Sequence, residues 1–249
     1  MTAQCGPAPC SVCGVERTIH QAARGAICGQ PTCRRTLVIQ RKAAEKQAFD
    51  TACDAIVAKT GKRPDVMVPV PFYDRKVIET PEATKRAFRE TLRKEIRDAV
   101  AANARGSVIP TYEEPEASSL SLNASCIACR GRCCRLGGAH AFLDLENMQD
   151  LLAKRPDDSP AAIYRDYVRR IPEQSMDQSC LYQGERGCAL PAAMRSNVCH
   201  SFECDERVAL KEALGEREDA SALVVAMEGE TVKAAVIAAP DGGLEWVET

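Results

Sequence analysis

The stretch "SCIACRGRCCRLGG", residues 125–138, sets four cysteines within nine positions and closes on the adjacent pair Cys133 and Cys134. Neighbouring residues point about 100° apart on a helix and to opposite faces on a strand. One tetrahedral ion therefore rarely takes both members of such a pair. Cys180, Cys188, Cys199 and Cys204 follow. Eight thiolates on one ion would gather far too much charge. Four ligands per centre divide eight thiols into two closed sites, or into one cluster of four and a remainder. The adjacent pair then reads as a hinge between two sites.

The rest of the composition agrees with a chain held partly by metal. Its 249 residues suit one large domain or two small ones. Hydrophobic residues make up 45% but aromatics only 4%, so a core forms with few large side chains to fill it. The net charge of −2 marks the chain as neither nucleic-acid nor membrane binding. No apolar run approaches the ~20 residues that span a bilayer. The start, "MTAQCGPAPC", has neither a basic nor an apolar leader region, so a cytoplasmic location is expected. In a reducing cytosol, fourteen cysteines point to metal binding over disulfides.

The expected fold is mainly α with small β elements and metal-stabilised cysteine-rich loops. Residues 1–33 form a finger-like segment leading into a helical region, 34–104. Residues 105–124 are rich in Pro, Ser and Glu and read as a linker that proteases would cut first. Residues 125–249 form a cysteine-cluster domain. A helix is expected over 31–59, with Pro31 in its first turn, Gly61 beyond its end and a stripe of Phe49, Cys53, Ile56 and Val57. "DVMVPVPFYD" reads as extended, its prolines arguing against a central strand. A second helix is expected with Thr80 as N-cap, Phe88, Leu92, Ile96, Ala99 and Val100 buried, and Glu82–Arg86 and Glu90–Lys94 pairs on its solvated face. Helices follow in "FLDLENMQDLLAKR", in "SPAAIYRDYVRRI" and near 205–217. The tail reads as a β-hairpin turning at Glu228–Gly229.

At the N-terminus, Cys10 and Cys13 are separated by fourteen residues from Cys28 and Cys33. Paired thiols with such a gap suit one tetrahedral Zn²⁺. Gly14 permits the tight turn of a zinc knuckle, and "TIHQAARGAI" is expected to form a short hairpin. Cys33 falls in the first turn of the long helix, whose dipole favours a thiolate. Knuckle, hairpin and helix-borne second pair resemble a treble-clef zinc finger, from which the C-x4-C spacing departs. Cys5 is a spare or a substitute ligand, His20 is an alternative ligand, and Cys53 reads as a buried hydrophobe. The cations Arg17, Arg24, Arg34, Arg35, Arg41 and Lys42 have no aromatic stacking platform beside them, so a nucleic-acid role is not expected. A protein partner stays open.

The second cysteine set continues into "SCLYQGERGCALPAAMRSNVCHSFEC". Residues of about 120–210 resemble the CxxCxxCC family of zinc- or iron-chelating domains. That pattern opens with C-x2-C-x2/3-CC and closes with C-x-x-L, G-C-x-I-Y and R-P-x-x-C-R-x-F-x-C. Cys126, Cys129, Cys133 and Cys134 match the opening, and Cys180, Gly187, Cys188, Arg195, Cys199, Phe202 and Cys204 match the close. Ser196, His200 and Leu190–Pro191 depart from it. The resemblance implies that these eight cysteines chelate zinc or an iron–sulfur cluster. Similar flagellin lysine methylases in the family use an iron–sulfur centre with S-adenosylmethionine. That activity is not carried over, because no Gly-rich strand-to-helix turn is present to bind such a donor. Thiolate ligands alone do not choose between Zn²⁺, iron–sulfur and Cu(I). His200 is a candidate further donor, and His140 caps or packs. The two functions in contention are a metal-binding module and an iron–sulfur enzyme of redox or methyl-transfer type. The absence of a nucleophile–base constellation favours the first.

Overall fold

Ala222, Leu223, Val224, Val225 and Ala226 are each wholly shielded from solvent. A strand covered on both faces has to read as an unbroken apolar run, and this one is the inner strand about which the protein is built. The computed structural model describes residues 8–107, 120–215, 217, 220–239 and 243–248. In chain order its elements are α1 (Ile19–Ala23), α2 (Pro31–Thr60), β1 (Val66–Pro71), β2 (Val77–Glu79), α3 (Glu82–Ala104), α4 (Leu120–Cys129), α5 (Leu145–Lys154), α6 (Pro160–Val168), β3 (Gln174–Met176), β4 (Gln183–Gly184), β5 (Gly187–Cys188), α7 (Asn197–Ser201), α8 (Asp205–Leu214), β6 (Ala222–Glu228), β7 (Thr231–Ala238) and β8 (Leu244–Val247). Short 3₁₀ turns cover Arg132–Leu136 and Ala192–Met194. Helices outweigh strands, as expected.

The four-stranded sheet has the order β1-β6-β7-β8. β1 pairs parallel with β6 from Val66↔Ala222 onward, and β6, β7 and β8 run antiparallel. Pro69 and Pro71 are tolerated because β1 lies at the edge, where the missing N–H groups interrupt no inner ladder. Side chains alternate between the two faces. Val66, Val68, Val70, Ala222, Val224, Ala226, Val236 and Ala238 meet α4 and α8 through Ala124, Ala128, Leu210 and Leu214. Leu223, Val225, Ala235 and Ile237 meet Cys53 and Ile56 of α2. The sheet is thus sandwiched between helices. The pairing of β1 with β6 also joins in one sheet the segments that the sequence reading set on either side of a linker.

A second core lies among α3, α5 and α6. Phe88, Leu92, Ile96 and Ala99 pack there with Met148, Ile163, Tyr167, Cys180, Leu181 and Tyr182. Phe88 meets the Tyr182 ring edge-on at 5.3 Å, and the buried Tyr167 hydroxyl donates to the Met194 carbonyl at 2.8 Å.

Several local expectations are corrected. Pro81, not Thr80, is the N-cap of α3, because the Thr80 hydroxyl donates to the Pro172 carbonyl at 2.8 Å instead. Val100 is 40% exposed, and Ala102 is buried in its place. The expected i,i+4 pairs give way to Lys85–Glu82, Arg89–Glu82, Lys94–Glu95 and Lys94–Asp98. The hairpin turns at Gly229–Glu230, since Glu228 still pairs with Thr231. Of the linker, residues 108–119 lie outside the described residues, while residues 120–124 are helical as the start of α4. α2 ends as expected, Gly61 taking the left-handed conformation (φ 68°) that closes a helix.

Candidate metal centre

The first site is built from a knuckle and a helix end. The Cys10 N–H donates to the Val15 carbonyl at 2.9 Å, and the Gly14 N–H returns to the Cys10 carbonyl at 2.9 Å. That tight loop needs the positive φ of Gly14, 71°. It leaves Cys10 and Cys13 on one side. The expected hairpin is absent: residues 19–23 form the helix α1 because Thr18 and Gln21 cap it reciprocally. The treble-clef arrangement therefore lacks its hairpin. Gln21 then donates to the Cys28 carbonyl at 2.9 Å, which fixes the second loop against α1. Cys33 follows Pro31 in the first turn of α2.

These elements converge four sulfurs. Cys10, Cys13, Cys28 and Cys33 place their Sγ atoms all within 4.8 Å of one another. Cys13 to Cys28 is 3.8 Å and Cys28 to Cys33 is 3.6 Å. A tetrahedral ion with ~2.3 Å arms holds its sulfurs about 4 Å apart, so the set already has the size of one ion. The Cys28 N–H points at Cys10 Sγ, 3.3 Å away. Such N–H···S contacts favour thiolates. The N–H of Cys13, foremost, together with other backbone donors, brings the Cys10 thiol down to about 6. Burial and the neighbouring thiols push Cys33 up to about 12. A cation at the centre would resolve that conflict by stabilising all four thiolates together. Among the described residues, only Val12 and Ile27 pack around them, which is too little apolar cover to hold the segment. Arg17 is committed to the carbonyls of Ala8 and Gly25, and His20 is exposed outside the tetrad. Cys5 lies outside the described residues. Cys53 is a buried core residue, as expected, its thiol pushed up to about 11 by burial.

The eight C-terminal cysteines are arranged differently. Among the described residues, no three of their sulfurs converge as the N-terminal set does. Cys126 and Cys129 lie one turn apart on α4, and Cys129 packs against the sheet core. Cys204 is the N-cap of α8, its carbonyl accepting the Val208 N–H at 3.0 Å. The Arg207 guanidinium reaches back to Cys126 Sγ at 3.7 Å and to the Leu122 carbonyl at 3.3 Å, tying α8 to α4. Cys133 stands in the 3₁₀ turn, and Gly131, with φ 66°, leads into it.

On the other side, the Cys180 N–H donates to the Cys134 carbonyl at 3.0 Å. Cys188 pairs with Gln183 across β4 and β5, and the Gln183 N–H donates to the Cys180 carbonyl at 2.8 Å. Cys134 and Cys188 both pack against the helical core that contains Cys180. Cys199, on α7, lies 3.2 Å from the Ser196 hydroxyl. The closeness of the Cys134 thiol, foremost, holds the Cys133 thiol down to about 6, and the closeness of Cys133 together with burial drives Cys134 well up. His200 gives its Nε2 to the Ala192 carbonyl at 2.9 Å, and His140 accepts the Phe142 N–H at 3.0 Å.

One signal was not visible in the sequence. The buried polar side-chain atoms without a partner, among the described residues, are Arg130 Nε, Ser179 Oγ, Asn197 Nδ2 and Arg207 Nε. Every one belongs to a residue within three positions of a C-terminal cysteine. A buried donor left unpaired is costly. Acceptors of the kind a metal-bound thiolate supplies would satisfy such donors. The donor set and these orphaned groups thus fit a thiolate-ligated centre.

No family model, curated protein or solved structure matches the chain.

Proposed function

We propose that this protein is a metal-binding module. Its N-terminal Cys10, Cys13, Cys28 and Cys33 hold one structural Zn²⁺, and its C-terminal cysteines chelate zinc or an iron–sulfur cluster. The single observation that carries the reading is the convergence of four sulfurs within 4.8 Å in a segment with almost no apolar core of its own. A closed all-thiolate set has no open coordination position, so the role of that ion is to fold the segment and not to activate water. The C-terminal half of the reading is supported by the orphaned donors beside its cysteines and by the CxxCxxCC resemblance. A reducing, cytoplasmic setting keeps all these thiols available as ligands.

The test is elemental analysis and absorption of protein purified without oxygen, compared with Cys13→Ser. The expected result is the loss of one zinc per chain in the variant. A variant with an unchanged metal complement would remove the basis of the proposal. A band near 400 nm that survives in Cys13→Ser would assign an iron–sulfur centre to the C-terminal half.

A further inference from the structure

α2 outruns the body on which it packs. Its sheet-facing stripe is Phe49, Cys53 and Ile56, which meet Leu223, Val225 and Ile237. At its other end Cys33 belongs to the knuckle. Between the two, residues 34–48 join none of the four apolar clusters formed by the described residues. Val38 and Ile39 are left 52% and 58% exposed. A helix bare over about four turns is marginal in water unless side-chain pairs support it. Among the described residues, the ion pair this segment makes is Lys46 with Asp50.

The bare segment is also strongly charged. Residues 31–48 hold five cations and one carboxylate, Glu45, in a chain whose net charge is −2. Arg34, Arg35, Arg41 and Lys42 stand at i−4, i−3, i+3 and i+4 of Val38, the four positions that flank a residue on a helix surface. All four are exposed. Among the described residues none of them pairs with a carboxylate, whereas α3 pairs Lys85, Arg89, Lys94 and Arg97 with its own Glu82, Glu95 and Asp98. Val38 precedes Ile56 by eighteen residues, about five turns. The cation-ringed face is therefore the sheet-facing side of α2 carried on beyond the sheet.

We infer that residues 34–42 form a docking surface for a partner protein, whose acidic amphipathic helix sets an apolar side chain on Val38 and carboxylates on the four cations around it. The inference is independent of the metal reading, since none of these side chains is a ligand. Charge complementarity selects the occupant. A second copy laid along the same face would oppose cation to cation. Single-stranded nucleic acid needs rings on which its bases stack, and residues 8–48 contain no Phe, Tyr or Trp. A duplex is gripped through its phosphates by cations alone. It offers little to exposed Val38 and Ile39, which a protein helix would cover. Because a helix bonds its own backbone groups, this surface cannot extend a strand and takes its partner through side chains.

Fluorescence anisotropy on the full-length protein tests this. The probe is a labelled helical peptide in which a Leu carries Glu at i−4, i−3, i+3 and i+4. A peptide of the same composition in permuted order is the control, and a short DNA duplex is the rival ligand. The patterned peptide should bind saturably, and the permuted one about tenfold more weakly. Val38→Gln, and Arg41→Glu with Lys42→Glu, should each weaken the patterned peptide about tenfold. Arg89→Glu with Arg97→Glu, on α3, should leave it unchanged. All these positions are on the surface, and circular dichroism confirms that each variant is folded. Equal binding of the permuted peptide, equal weakening by the α3 pair, or a silent Val38→Gln would reduce the effect to charge and overturn the inference. Preference for the duplex, lost in Arg41→Glu with Lys42→Glu, would make this a nucleic-acid surface instead. A dimer in sedimentation that dissociates in that same variant would make the occupant a second copy. Either result overturns the inference, as does the absence of binding to the patterned peptide.

Discussion

Gly137 sits where the backbone after Cys134 passes closest to Cys180. An added methyl group would meet Cys180 Cβ and the Phe142 ring, each at 2.9 Å. Cys180 is not free to retreat, since it is buried in the helical core. Gly137→Ala should therefore destabilise the fold by roughly 1–3 kcal/mol, the usual range for overpacking. Urea titration would read this as a lower midpoint at unchanged slope. An unchanged midpoint would mean that the loop moves freely. The N-terminal tetrad allows a second prediction at this scale. Because its cover is so thin, Cys10→Ser or removal of zinc by a chelator should expose the amides of residues 8–30 to hydrogen exchange, while β6 and β7 stay protected. Retained protection in residues 8–30 would show that hydrogen bonds alone hold the knuckle. The tetrad itself was readable from spacing, because two short-spaced thiol pairs leave few other geometries for one ion.

Among the elements, α6 illustrates a charged anchor. Asp166 is buried to within 9% and bonds Arg155 at 3.0 Å, with Arg169 and Arg170 also upon it. Burial pushes its carboxyl up, but the Arg155 and Arg170 hydrogen bonds outweigh that, and the net displacement is downward. A carboxyl held below its unfolded-state value of ~3.9 contributes stability above that pH, and the contribution is lost as pH falls through the native value. Asp166→Asn should cost about 1–3 kcal/mol at pH 7, as hydrogen bonds to a charged group do. The gap from wild type should close as the pH falls below about 4. A gap that stays constant on acidification would assign the loss to packing. α4 makes a different point. Its buried stripe is Ser121, Ala124, Ser125 and Ala128, at helical spacing but without one large side chain. A search for apolar periodicity passes over such a stripe, which is why Ser121 and Ala124 read as linker. Small residues are needed there because α4 crosses the sheet beside α8. Substituting Ala128, wholly buried against β-sheet valines, with Leu should overpack this contact by roughly 1–3 kcal/mol. A melting temperature equal to wild type would show that α4 can lift from the sheet.

On the scale of the whole molecule, the sheet joins the chain's two ends of the sequence. β1 hydrogen-bonds β6, although more than 150 residues separate them, and α3 covers the core that holds Cys180. Residues 120–249 expressed alone should therefore fail to fold, because β6 would lose a neighbouring strand and the helical core its longest helix. Residues 31–249, lacking only the knuckle, should fold with a near wild-type melting temperature. Circular dichroism and thermal unfolding of the two fragments decide this. A cooperative transition in the 120–249 fragment would mean that the C-terminal region is a unit of its own.

The sequence by itself determined the positions of α2, α3, α5, α6 and α8, the terminal hairpin and the first cysteine tetrad. Each depends on neighbours close in the chain: periodicity, a proline or glycine at a helix end, thiols a few residues apart. Only the tertiary structure decided which strands share a sheet and that α4 is a helix packed on small residues. Those outcomes depend on burial between segments far apart in the chain. Cys134 shows the limit most clearly, since the Cys180 N–H that its carbonyl accepts comes from 46 positions further along the chain.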